Sequence, residues 1–236
     1  MRKTRSRGFT IVEIAIVLVV VGLLLGAVMK GQELIGSARV RNIIDSVSGI
    51  EAAYFGFVDR YRRVPGDWGM KEASVAIGVT LNGGGDNDGR IDNESSDKWK
   101  EPNALWEQLA KAGFLQGEFK GGTAEPNATN RLAPLNPYNR IMVIGSTDDY
   151  LAGGTATVRL NLVLGRGMPV DIAREVDVKL DDGAPDTGSV RLAVSTGATF
   201  GEPAQSERNC VADGADGAKI YAVSSDSQDC NLVYLF

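Results

Sequence analysis

Three acids fall close together at Asp86, Asp88 and Asp92, inside the run Gly83-Gly84-Gly85-Asp86-Asn87-Asp88-Gly89-Arg90-Ile91-Asp92. Carboxylate oxygens two residues apart around a glycine turn are the donor set of a calcium loop. With Gly89 at the glycine position of such a loop, Asp86, Asp88 and Asp92 take its third, fifth and ninth places. Gly84 then falls on the first place, and Ser95 on the twelfth, where a bidentate glutamate would close the shell. Glu94 and Asp97 flank that place and could supply the ligand if the loop folds back. Two readings stay open: a weak calcium site, or a solvated acidic turn.

The remaining chemistry is sparse. The two cysteines are Cys210 and Cys230, and there is no histidine, the commonest general base and metal ligand. In an exported chain an isolated pair reads as a disulfide closing a short loop. Two buried thiols are the alternative. No nucleophile elbow, phosphate loop or dinucleotide fingerprint occurs, and Gly165-Arg166-Gly167 lacks the third glycine. An enzyme is not expected.

A fourth acid raises a different question. Arg2, Lys3, Arg5 and Arg7 precede an apolar run from Ile14 to Met29, and Glu13 stands at its edge. Without those basic residues the net charge moves from −5 to −9, an acidic balance that argues against nucleic-acid binding. A conventional secretory signal needs small residues at its cut, and Lys30-Gly31-Gln32-Glu33 offers a poor site. A plain anchor from Ile14 to Met29 is about 24 Å long, short of a bilayer core of about 30 Å. Extending it back to Phe9 places Glu13 inside lipid, at a cost of about 2.5–3.5 kcal/mol. Such an acid calls for a partner.

Arg7-Gly8-Phe9-Thr10-Ile11-Val12-Glu13 resembles the processing site of type IV pilin-like proteins. The resemblance implies that a prepilin peptidase cuts between Gly8 and Phe9 on the cytoplasmic side, leaving Phe9 as an N-methylated terminus. It further implies that Glu13 is an assembly residue, pairing with the terminal amine of a neighbouring subunit. Opposite charges attract strongly in a low-dielectric setting, and each alone is costly there. A glutamate at the headgroup boundary is the plainer alternative. Gly22 and Gly26, four apart, suit close helix approach. Many family members carry a bending proline in this segment; the first proline here is Pro65, so the resemblance does not extend to a bend. Leu105-Trp106-Glu107-Gln108-Leu109 with Ala112-Gly113-Phe114-Leu115, and Lys179 to Gly188, resemble pilin-like segments more loosely.

The elements that must position these residues follow from periodicity. Leu34, Ala38, Ile43, Val47, Ile50, Tyr54, Phe57 and Tyr61 form a helical stripe, ended by Val64-Pro65-Gly66-Asp67. A single helix over 9–62, roughly 80 Å long, is expected. Residues 68–96 read as loop, Pro102–Ala112 as a short helix, and 116–138 as loop. Strands are expected at Arg140–Ile144, Thr157–Leu164, Ser189–Val194 and Asn231–Phe236, with a helix at Pro169–Leu180.

The fold class expected is α+β, a long N-terminal helix packed on an antiparallel sheet. The organisation is a leader (1–8), the long helix (9–62, with 9–29 as membrane or filament core) and a globular head (63–236). The resemblance implies a structural subunit of a type IV pilus or type II secretion pseudopilus. Its partners would be prepilin peptidase, other pilin-like subunits and the inner membrane, with the head in the periplasm before the subunit enters a filament, periplasmic or at the cell surface. The alternative is a membrane-anchored single-copy binding module.

Overall fold

The computed structural model describes residues 10–92, 97–194, 209–214 and 217–236. The chain divides into two compact units, Met1–Arg39 and Val40–Phe236, and helix α1 (Ile11–Tyr61) contributes to both. From Ile11 to Met29 every residue of α1 is exposed. Its most apolar window has mean hydropathy 3.0, which makes α1 the one helix among the described residues long and apolar enough to cross a membrane.

In the second unit α1 buries Val40, Ile43, Val47, Ile50, Ala53, Tyr54 and Phe57, a face repeating every three or four residues. Leu34 and Ala38, expected in this stripe, are exposed. They belong to the first unit, whose described residues form a single helix with no second element to bury a stripe against. Phe57 anchors the packed end, its ring 4.7 Å from Tyr61, 5.9 Å from Phe114 and 6.1 Å from Trp68. Arg62 then adopts a left-handed φ of 54°, and Pro65 forbids continuation.

The sheet holds four antiparallel strands, β1 (Val143–Thr147), β2 (Arg159–Val163), β3 (Val190–Leu192) and β6 (Leu232–Leu235), in the order β1-β2-β6-β3. The last strand therefore sits inside the sheet, pairing Leu162 with Tyr234 and Leu192 with Leu232. Strand alternation sends Ile144, Leu162, Val190, Leu192 and Leu232 into the main core that also contains the α1 face. Val143, Val163, Val233 and Leu235 point the other way and are covered by Tyr150, Ala193 and Ile141. Both faces are thus apolar.

Three local expectations need correction. Residues 68–96 are not all loop: α2 (Met70–Ile77) lies there, stopped by Gly78 at φ +81°. Eight residues give too short a period for its pattern to stand out. The first strand runs Val143–Thr147, not Arg140–Ile144, because Asn136 accepts from the Tyr138 and Arg140 amides and holds 136–140 as a turn. The α3 helix spans Lys100–Lys111, starting two residues before Pro102, which its first turn tolerates.

The cysteine loop carries more structure than its Asp, Ser, Gly and Ala content suggests. Cys210 and Cys230 form a disulfide. Between them β4 (Val211–Asp213) and β5 (Lys219–Tyr221) make a hairpin. Buried Tyr221 donates its hydroxyl to Asp177 at 2.6 Å, docking the hairpin on α4 (Val170–Leu180). Asp177 also accepts the Gly183 amide at 3.1 Å, and burial pushes its carboxyl up to about 6. Asp181 takes the Ser189 and Val190 amides, so the acids after α4 tie down the turn into β3.

Candidate functional site

Two places hold the acids singled out by the sequence. The first is the start of α1. Thr10 donates its amide and its hydroxyl to Glu13 Oε2, both at 2.8 Å, and its Oγ1 accepts the Glu13 amide at 3.2 Å. This is a reciprocal capping box, which satisfies amides that the first helical turn leaves unpaired. Thr10-Ile11-Val12-Glu13 matches the Ser/Thr-x-x-Glu pattern, so the signal was present in the sequence. Gly8 and Phe9, the expected processing residues, lie outside the described residues. Glu13 stands exposed among exposed apolar side chains, including Ile11, Ile14, Ile16 and Val17.

The second place is the glycine-rich acidic loop, and it is built on α3. Most of this helix is buried, including Glu101, Asn103, Glu107 and Gln108 alongside Leu105, Trp106 and Leu109. The polar members of that face hold loops. Glu107 accepts the amides of Asn82 and Gly83 at 2.9 Å each and the Asn82 side-chain amide at 2.6 Å. Gln108 accepts the Gly66 amide and donates to the Trp68 carbonyl, both at 2.9 Å. Asn103 donates to the Gly122 and Ala124 carbonyls, again at 2.9 Å. The three glycines permit close approach: a Cβ on Gly84 would sit 2.3 Å from the Met70 nitrogen, and one on Gly85 2.5 Å from the Asp67 carbonyl.

Within this frame the acids regroup. Asp67, Asp86 and Asp88 each bring a carboxylate oxygen within 4.8 Å of the others. Buried Asp67, read from sequence only as part of the turn ending α1, accepts the Asp88 and Gly89 amides at 3.0 Å each. Asp92, the third expected ligand, is outside that group; its amide instead donates to Glu101 at 3.0 Å. Glu94 and Ser95 lie outside the described residues. The converging set is one buried and two exposed carboxylates, oxygen donors of the kind a hard cation takes.

Glu101 reports the electrostatic cost of this arrangement. Burial raises its carboxyl to about 7, and the charges of Asp92, Asp67 and Asp86 push the same way, against the Asp92 amide. Burial also raises Asp67, opposed by the Gly89 and Asp88 amides. A carboxyl whose folded value lies above its unfolded value takes up a proton on folding. Its stabilisation is complete below the unfolded value of 4.5 and is lost as pH rises through about 7. The protein is therefore expected to melt higher at pH 5 than at pH 8. Glu101→Gln should remove part of that difference, on the order of 1–3 kcal/mol, leaving the share of Asp177. Melts of both proteins across pH 5 to 8 test it; parallel curves would contradict the assignment.

A family model for the prokaryotic N-terminal methylation motif matches residues 3–29. No curated protein matches the chain. The matched segment spans the basic start, Gly8, Phe9, the Thr10–Glu13 box and the apolar part of α1 up to Met29. The chain therefore carries the type IV prepilin signature, at the head of a long apolar helix followed by an antiparallel sheet.

Proposed function

We propose that this protein is a structural subunit of a type IV pilus or type II secretion pseudopilus. Prepilin peptidase cuts it between Gly8 and Phe9, Phe9 is methylated, and the subunit polymerises through α1. Before assembly it is held in the inner membrane by the apolar part of α1, with the leader cytoplasmic by the positive-inside rule and the head in the periplasm. The observation that carries this reading is the methylation motif over residues 3–29, joined to a helix exposed on all sides from Ile11 to Met29. Such a surface needs lipid in the monomer and neighbouring helices in a fibre. Glu13 then pairs with the terminal ammonium of an adjacent subunit. Shearing fibres from cells that express the tagged protein tests the reading: the cleaved chain should co-purify with them. Retention of all cleaved chain in the membrane would overturn it.

The convergence of Asp67, Asp86 and Asp88 supports a second property, a weak calcium site in the head. With three carboxylates converging and no bidentate glutamate beside them among the described residues, its dissociation constant is expected at about 10⁻⁴ to 10⁻³ M. At tenfold excess calcium this stabilises the protein by about 1.4 kcal/mol. For a chain of this size that corresponds to roughly 3–6 °C in melting midpoint. Asp88→Ala should abolish the shift. A midpoint that ignores both millimolar calcium and chelator would leave the loop as a turn held by Asp67 alone.

A further inference from the structure

We propose that Thr10 is the positioning residue for Glu13: it clasps one carboxylate oxygen and leaves the other for the neighbouring subunit. The inference rests on the filament reading above. Both bonds from Thr10, amide and hydroxyl, converge on Oε2. Among the described residues no hydrogen bond reaches Oε1. The hydroxyl is at once donor to Oε2 and acceptor of the Glu13 amide, so the side chain is held at both ends.

Two consequences follow for a carboxylate surrounded by apolar side chains. The clasp satisfies the Thr10 amide, the Thr10 hydroxyl and the Glu13 amide at once, where lipid offers none of them a partner. It also removes rotamer freedom from a flexible glutamate before any neighbour arrives, which lowers the ordering cost of pairing. A cation approaching α1 then meets one fixed oxygen, and no bond of the chain must break for it to dock. Threonine and serine can both accept and donate in this way; valine keeps the shape of threonine and can do neither. The Thr10 amide belongs to the bond after Phe9, so the clasp survives a cut between Gly8 and Phe9.

The test uses the full chain in a filament-producing strain that lacks the wild-type copy. Thr10→Ser, Thr10→Val, Glu13→Gln and the double variant Thr10→Val/Glu13→Gln are compared with wild type. Cleaved chain in sheared fibres is measured relative to cleaved chain in membranes, so a processing defect does not count. Thr10→Ser should incorporate within about twofold of wild type, and Thr10→Val about fivefold less, the size of a lost cap interaction. In the Glu13→Gln background, adding Thr10→Val should lower incorporation much less than it does alone. If Glu13→Gln lowers incorporation and Thr10→Val does not, the clasp is overturned while the pairing of Glu13 stands. An equal Thr10→Val loss with and without Glu13 also overturns it, since Thr10 would then act separately. Wild-type incorporation of Glu13→Gln would remove the pairing itself, and the clasp with it.

Discussion

Glu13→Val is expected to leave the chain inserted and processed but to lower its recovery in sheared fibres by at least about a hundredfold. The variant removes an acid that is expensive in lipid, so the single chain should be no less stable in the membrane. The loss falls on assembly, where the partner ammonium would be buried without its counter-charge. Breaking a buried pair from one side costs about 3–5 kcal/mol. Glu13→Gln should lie between: it keeps the shape, but without the charge that draws an ammonium little is gained by holding its oxygen in place. The measurement is the ratio of cleaved chain in fibre and membrane fractions. A normal ratio for Glu13→Val would reduce Glu13 to the third residue of a helix cap.

The second large effect is expected in the head. Glu107→Ala should destabilise the protein by about 3–5 kcal/mol, although among the described residues Glu107 forms no ion pair. Glu107 is fully buried and accepts three hydrogen bonds from Asn82 and Gly83. Alanine would leave those donors facing a cavity, against a loop whose glycines are pressed too close to move in. A Cβ on Gly121 would stand 2.5 Å from Glu107 Oε2, so the carboxylate is enclosed from the other side as well. Glu107→Gln keeps the shape but turns an NH₂ toward one donor, and should cost about 1–3 kcal/mol. Urea unfolding of the three proteins measures both. A cost below about 1 kcal/mol for Glu107→Ala would mean that the 82–92 loop is held from elsewhere.

Periodicity made the long helix and the sheet legible. Ile43 to Phe57 repeat at three and four and are buried at that spacing, whereas adjacent Val143 and Ile144 of β1 are both buried, one on each face of the sheet. The start of the stripe was not legible, because Leu34 and Ala38 keep the same period while lying where nothing packs on them. The order of the strands was also hidden: Asn231–Phe236 ends the chain, yet pairs on both sides. Nothing in its local pattern distinguishes an inner strand from an edge.

The acidic loop shows a different limit. Spacing grouped Asp86, Asp88 and Asp92 because they are near in sequence. The fold substitutes Asp67, nineteen residues before Asp86, since α3 presses the two loops together through Glu101, Glu107 and Gln108. Polar residues on a buried helix face look like surface residues in a sequence. Only the loops they hold reveal their purpose. Thr10 was missed, although the Thr-x-x-Glu capping pattern that marks it stands in the sequence.

The filament reading meets its most direct test at the N-terminus of the mature protein. Mass spectrometry of the full chain extracted from membranes is expected to find a start at Phe9, heavier by one methyl group, with Met1 to Gly8 absent. An intact Met1, or a start beyond Met29, would contradict processing as a prepilin and with it the assembly role given to Glu13.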